Sequence, residues 1–288
     1  MVMAYLSVNP PLSILLCSKI VAEEWHEELQ SLLRTDGAKA EIGQDKYKPT
    51  FDVTTYCSIV GALRYLVNSR PDLAFSVSYV SKFIAHRFMA EPHEDHLVAV
   101  KHILRYIAGT LEYGVQYTRG EAGKLRLCGY NDSDMVGDAD DRKSTTGGIY
   151  FLAQSPIIWQ SQKHKVVALS SCEAEYVAAT STTCQGVWLA GLLEEIMGAP
   201  PATAMLKVDN KSAIALSKNP VHHDGSKHIQ ICHHYIRECV EVGKIDIDNV
   251  SSSLQLVDLL TKPLSRARFQ ELRKLIGVIN AKHEHHKN

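Results

Sequence analysis

The feature that most constrains this chain is a change of period at "RGEAGK", residues 119–124. Before it, apolar residues recur at helical spacing. After it come three strand-like segments in quick succession, "LRLCGYND", "GGIYFLAQ" and "IIWQSQ". Strands joined by short links pair antiparallel, because a parallel pair needs a long crossover. A long helical segment follows, running from "SSCEAEYVAATS" to about Met197. Next come the strand "AMLKV", the helical segments "KSAIALSK" and "IQICHHYIRECVEVG", and the strand "KIDIDNV". Strands separated by helices add in parallel. The order therefore predicts an α/β fold with a mixed five-stranded sheet, three antiparallel strands then parallel additions, covered by helices. Two helical segments, "LQLVDLLTK" and "RARFQELRKLIG", close it.

The same reading divides the chain. Residues 1–53 show no clear pattern beyond one short amphipathic stretch. Residues 54–122 form a small helical unit, with Pro71 at a helix start and Gly109 at a helix end. Residues 123–278 form the α/β domain, and 279–288, ending "HEHHKN", are expected to be a disordered tail.

A net charge of −1 over 288 residues gives no bulk attraction for nucleic acid, so any such partner must be held by local basic patches or through metal ions. Seven cysteines, an odd count without a C-x-x-C pair, read as reduced thiols with neither a disulfide frame nor a zinc ribbon. The apolar run "LSILLC" is far short of the roughly 20 residues that span a bilayer. The expectation is a soluble protein of cytoplasm or nucleus.

Four acids end strands or open helices: Asp132, Glu175, Asp209 and Asp258. If the fold brings them to one sheet edge, their mutual repulsion would be relieved by divalent cations, and Mg²⁺ prefers carboxylate oxygen. The plainer alternative stays open. Aspartates at strand ends often serve turns and caps, and either Asp209 or Asn210 could cap the helix that follows. Glu173 and Glu175 flank Ala174 and point about 200° apart on a helix, so they cannot share one face. Ser170-x-x-Glu173 fits a capping box, which gives Glu173 a structural task and leaves Glu175 free.

Five blocks occur in order: "GYNDSDMVGDADDRKSTTGGIYFL", "IIWQSQKHKVVALSSCEAEYVAAT", "KVDNKSAIALSKNPVHH", "SKHIQICHHYIRE" and "QLVDLLTKPL". Together they closely resemble the ribonuclease H domain of copia-type retrotransposon Pol polyproteins. The preceding unit, with "YCSIVGALRYLVNSRPDLAFSVSYVSKF", resembles the segment that connects reverse transcriptase to RNase H in the same polyproteins. The resemblance implies an RNase H-like fold and an endonuclease that cuts the RNA strand of RNA–DNA hybrids with two Mg²⁺ or Mn²⁺ ions. Matched motif by motif, it implies that Asp132, Glu175, Asp209 and Asp258 carry the metals.

Asp134 and Asp138 are alternatives beside Asp132. The family usually reads D-A-D-W there, where this chain has Asp132-Ser133-Asp134-Met135. The loop "NVSSSLQLV" holds no histidine before the last acid, and Gln230 stands where the family often has an acid. His228 is a candidate auxiliary group in hydrolysis. His222, His223, His228, His233 and His234 suggest a metal cluster, but His233 and His234 are adjacent and face different ways on a helix. Arg142, Lys143, Lys163, Lys165 and Lys262 are the candidates for gripping the nucleic-acid backbone. No Y-x-D-D hairpin is present, so no polymerase activity is expected. The competing readings are a catalytically silent polyprotein fragment, or a domesticated remnant that binds nucleic acid or protein. A reverse transcriptase domain of the parent polyprotein is the expected protein partner, and no membrane is implied.

Overall fold

A computed structural model describes residues 53–85, 94–118, 125–135, 142–198, 203–218 and 227–284. They fall into two compact units, one made of the chain up to Val115 together with Val278 onward, the other of Gln116–Gly277.

The first unit contains α1 (Val53–Val67), α2 (Ala74–Ala85) and α3 (Glu94–Ala108). Their apolar residues follow the helical period: Tyr56, Ile59, Val60, Leu63 and Leu66 from α1 meet Val77 and Val80 from α2 and Val100, Ile103, Leu104 and Ile107 from α3. Pro71 opens a 3₁₀ turn that leads into α2. Arg70, fully buried, is held bidentate by Asp72 at 2.9 and 2.8 Å and donates to the Thr110 carbonyl at 3.0 Å. A short strand β1 (Tyr113–Val115) pairs antiparallel with β7 (Val278–Asn280), and α9 (Ala281–Glu284) follows. Strand β7 completes the edge that β1 offers, and together with α9 it occupies residues 278–284.

The second unit holds β2 (Leu127–Ser133), β3 (Thr145–Leu152), β4 (Ser155–Lys163), α4 (Ser171–Met197), β5 (Ala204–Val208), α5 (Lys211–Lys218), α6 (Lys227–Glu241), β6 (Ile245–Asn249), α7 (Asp258–Thr261) and α8 (Arg266–Leu275). The sheet order is β4-β3-β2-β5-β6. The β2–β3 and β3–β4 pairs are antiparallel, and the β2–β5 and β5–β6 pairs are parallel. This is the mixed five-stranded arrangement that the strand order implied.

Helix α4 crosses between the antiparallel and the parallel parts, and its composition suits the task. Ala174, Ala178, Ala179, Thr182, Thr183 and Gly186 are buried along it, small residues that let the helix lie close to the sheet. Gly186 is required: a Cβ there would come within 2.1 Å of the Tyr150 hydroxyl. Tyr150 in turn donates to the Thr182 carbonyl at 3.0 Å, so its one polar atom is satisfied inside the core. Ser170 caps α4, its hydroxyl accepting from the Glu173 N–H at 3.1 Å. Glu173 reaches back to the Leu169 N–H at 2.9 Å, one residue earlier than a strict capping box. The helix ends where Gly198 adopts φ 67°, the left-handed cap.

Candidate active site

Three sequence-distant acids meet at one end of this sheet. Asp132 lies near the end of β2, Glu175 near the start of α4, and Asp209 directly after β5. One carboxylate oxygen from each falls within 4.8 Å of the other two. Asp132 and Glu175 are buried, at 2% and 6% exposure.

Local structure frees and aims each acid. Asn210, not Asp209, caps α5: its Oδ1 accepts from the Ser212 and Ala213 N–H groups, both at 3.0 Å. That settles the capping alternative and leaves the Asp209 carboxylate available; among the described residues, only the Ser252 hydroxyl donates to it, at 3.3 Å. The Ser133 N–H donates to Glu175 Oε1 at 3.1 Å, while Glu175 Oε2 is buried without a hydrogen-bond partner. The Thr261 hydroxyl donates to Asp132 Oδ2. This approach of α7 to the sheet depends on Gly147, which pairs with Asp132 across β2–β3; a Cβ there would stand 2.5 Å from Val257 and 2.6 Å from Thr261.

The electrostatics follow from crowding. Burial pushes the Glu175 carboxyl up to about 9, and the Asp132 and Asp209 charges push in the same direction. Asp209 is raised by burial and by Asp132. Like charges held together and out of water, one with an unpartnered buried oxygen, form a hole for a positive charge. The all-oxygen donor set suits a hard divalent cation such as Mg²⁺ or Mn²⁺.

Asp258 stands apart from this triad. Its Oδ1 is 2.7 Å from Lys262 Nζ and its Oδ2 is 3.9 Å from Arg268. Lys262 also reaches Asp132 Oδ2 at 3.5 Å. Burial raises the Asp258 carboxyl, and Lys262 works against that shift. Lys262, expected on the nucleic-acid backbone, thus sits among the acids.

The other candidates separate by position. Asp134 closes the β2–β3 hairpin: its N–H donates to the Thr145 carbonyl at 3.3 Å and its Oδ1 accepts from the Thr145 N–H. Asp138, His222 and His223 lie outside the described residues, and the side chains of His228, Gln230 and His233 likewise. His234 is exposed on α6. Register puts Lys163 opposite Thr145, at the same sheet end as Asp132; Lys143 and Arg142 precede Thr145, and Lys165 follows Lys163. Arg142 and Lys165 are exposed.

Thr261 and His164 are neighbours of the site that sequence reasoning missed. Thr261 follows Asp258 by one helical turn, a spacing that places both at the same corner. Buried His164 shares a 2.7 Å hydrogen bond with Thr146, and burial pushes its pKa down to about 4, so it is neutral at physiological pH.

The strand order, the crossing helix and the acids at the strand ends define a domain of the RNase H-like class. Over most of its length the chain has homologues in the retrovirus-related Pol polyproteins of copia-type transposons. It is 43% identical over 230 residues to the Pol polyprotein of transposon RE1 from Arabidopsis thaliana, covering 79% of this chain and 15% of that protein. It is 41% identical over 224 residues to that of transposon TNT 1-94 from Nicotiana tabacum, covering 77% of this chain and 16% of that protein. The chain therefore spans about a sixth of these relatives' length. No protein-family model matches. Among solved structures, the N-terminal RNase H domain of a Mycobacterium tuberculosis protein aligns with 52% of this chain and 98% of its own, at 11% identity and a TM-score of 0.37.

Proposed function

We propose that this chain is a divalent-metal-dependent ribonuclease that hydrolyses the RNA strand of RNA–DNA hybrids, with Asp132, Glu175, Asp209 and Asp258 as its functional acids. The observation that carries the reading is the convergence of Asp132, Glu175 and Asp209 within 4.8 Å at the strand ends of an RNase H-like sheet. When bound, a pair of Mg²⁺ or Mn²⁺ ions supplies water activation and charge stabilisation at the leaving oxygen.

The protein's own part is preorganisation. The Ser133 N–H fixes one Glu175 oxygen, and the other is buried without a hydrogen-bond partner among the described residues. Thr261 holds one Asp132 oxygen. Arg142, Lys143, Lys163 and Lys165 lie toward the same sheet end, where they would neutralise backbone phosphates of a bound hybrid. With a net charge of −1, the chain lacks a strong general attraction for nucleic acid. Tight grip on the hybrid is assigned to a reverse transcriptase domain in the longer polyprotein, and weak turnover is expected of this chain alone.

The test is cleavage of a hybrid carrying a labelled RNA strand, in Mg²⁺ and in Mn²⁺, beside Asp209→Asn. Metal-dependent cutting by the wild type and none by the variant supports the reading. Equal cutting by both, or hybrid binding without cutting in either metal, removes it.

A further inference from the structure

Among the described residues, Lys262 is the cation that reaches two acids of the site. Its Nζ lies 2.7 Å from Asp258 Oδ1 and 3.5 Å from Asp132 Oδ2, so it bridges the acid outside the triad to one within it. Among the described residues, no lysine or arginine pairs with Glu175 or Asp209. The site is thus split: one half is a hole for a positive charge, and the other already contains one.

The other neighbouring cation is held elsewhere. Arg268 donates to Glu271 at 3.0 Å and to the Ser253 carbonyl at 2.8 Å, and its approach to Asp258 is 3.9 Å. Among the described residues, the Lys262 ammonium has no such anchor beyond the two aspartates. Its side chain is 42% exposed and hangs from the end of α7, so its flexible stem can carry the ammonium out to solvent without moving the helix.

Resting on the metal-dependent reading above, we propose that Lys262 acts as a tethered cation that fills the Asp132–Asp258 half of the site in substrate-free protein. The free chain then binds one divalent ion, in the Asp132–Glu175–Asp209 half. A second ion enters only when Lys262 swings away, as it would when a phosphate draws its ammonium outward. Lys262 is a positioning residue in this account, setting how many ions the site holds.

The test uses Mn²⁺ alone, titrated into the full chain at pH 7.5, with ions per chain counted by calorimetry and by the electron paramagnetic resonance of free Mn²⁺. Wild type should bind one ion. Lys262→Met should bind two, the second at least tenfold tighter than any second ion on wild type, and Lys262→Arg should bind one. If Lys262→Met does not fold, Lys262→Gln provides the same comparison. Two ions on wild type, or one on both neutral variants, would overturn the role of Lys262 while leaving the nuclease reading intact. No ion on wild type would overturn both.

Discussion

Glu175→Gln should stabilise the metal-free protein. Glu175 is 6% exposed, and a carboxylate oxygen of its own lies within 4.8 Å of one from Asp132 and one from Asp209. A like-charge pair at that distance is worth roughly 3.5 kcal/mol at an effective dielectric of about 20. Glu175 has two such neighbours, but its carboxyl, pushed up to about 9, escapes part of the repulsion by binding a proton. Glutamine removes the charge and keeps an oxygen to accept from the Ser133 N–H. The net gain should be on the order of 2–4 kcal/mol, or about 5–10 °C in Tm for a domain of this size. The assay is thermal unfolding in EDTA at pH 8, repeated in 10 mM Mg²⁺. The wild type should unfold at the lower temperature in EDTA, and Mg²⁺ should raise the wild type much more than the variant. An EDTA Tm for Glu175→Gln equal to or below wild type would refute the account of the site as a hole for positive charge.

Three further outcomes follow from the same structure. In EDTA, two groups should leave stability nearly flat between about pH 4.5 and 6.5, where they oppose each other, and let it fall from there toward pH 9. Glu175, with its folded pKa raised, contributes stability at low pH that is lost between its ordinary range and about 9; buried His164, with its pKa lowered to about 4, adds stability as pH rises from about 4 to 6.5. Denaturant titrations across that range in EDTA check the slope, and saturating Mg²⁺ should flatten its alkaline side. Asn210→Ala removes the two N-terminal hydrogen bonds of α5 and should cost about 1 kcal/mol in urea unfolding. Gly186→Ala drives a Cβ into the Tyr150 hydroxyl and should cost about 1–3 kcal/mol, with Tyr150→Phe relieving part of the overlap.

How much of this was legible in the sequence depended on whether a feature lived in local pattern or in tertiary contact. The strands "LRLCGYND", "GGIYFLAQ" and "IIWQSQ" announced their antiparallel pairing through short links, and the helix-separated strands announced theirs by spacing. The four acids were visible because each ends a strand or opens a helix. Their grouping was only partly visible. Asp258 sits one helical turn from Lys262, and that i,i+4 spacing signalled an ion pair that motif matching passed over. The capping of α5 by Asn210 in place of Asp209 turns on side-chain direction, which adjacent polar residues do not reveal. The β7 strand was missed because three residues carry too little periodicity, and its partner β1 lies far away in sequence.

The most direct measurement of the central claim is strand-selective cleavage. One labelled RNA is presented to the purified chain in Mn²⁺ as a single strand, as an RNA duplex and as a hybrid with DNA. The account predicts that cutting is confined to the RNA of the hybrid, is lost in EDTA and is lost in Asp209→Asn. Cutting of all three substrates alike, or hybrid cutting that survives EDTA, would contradict it.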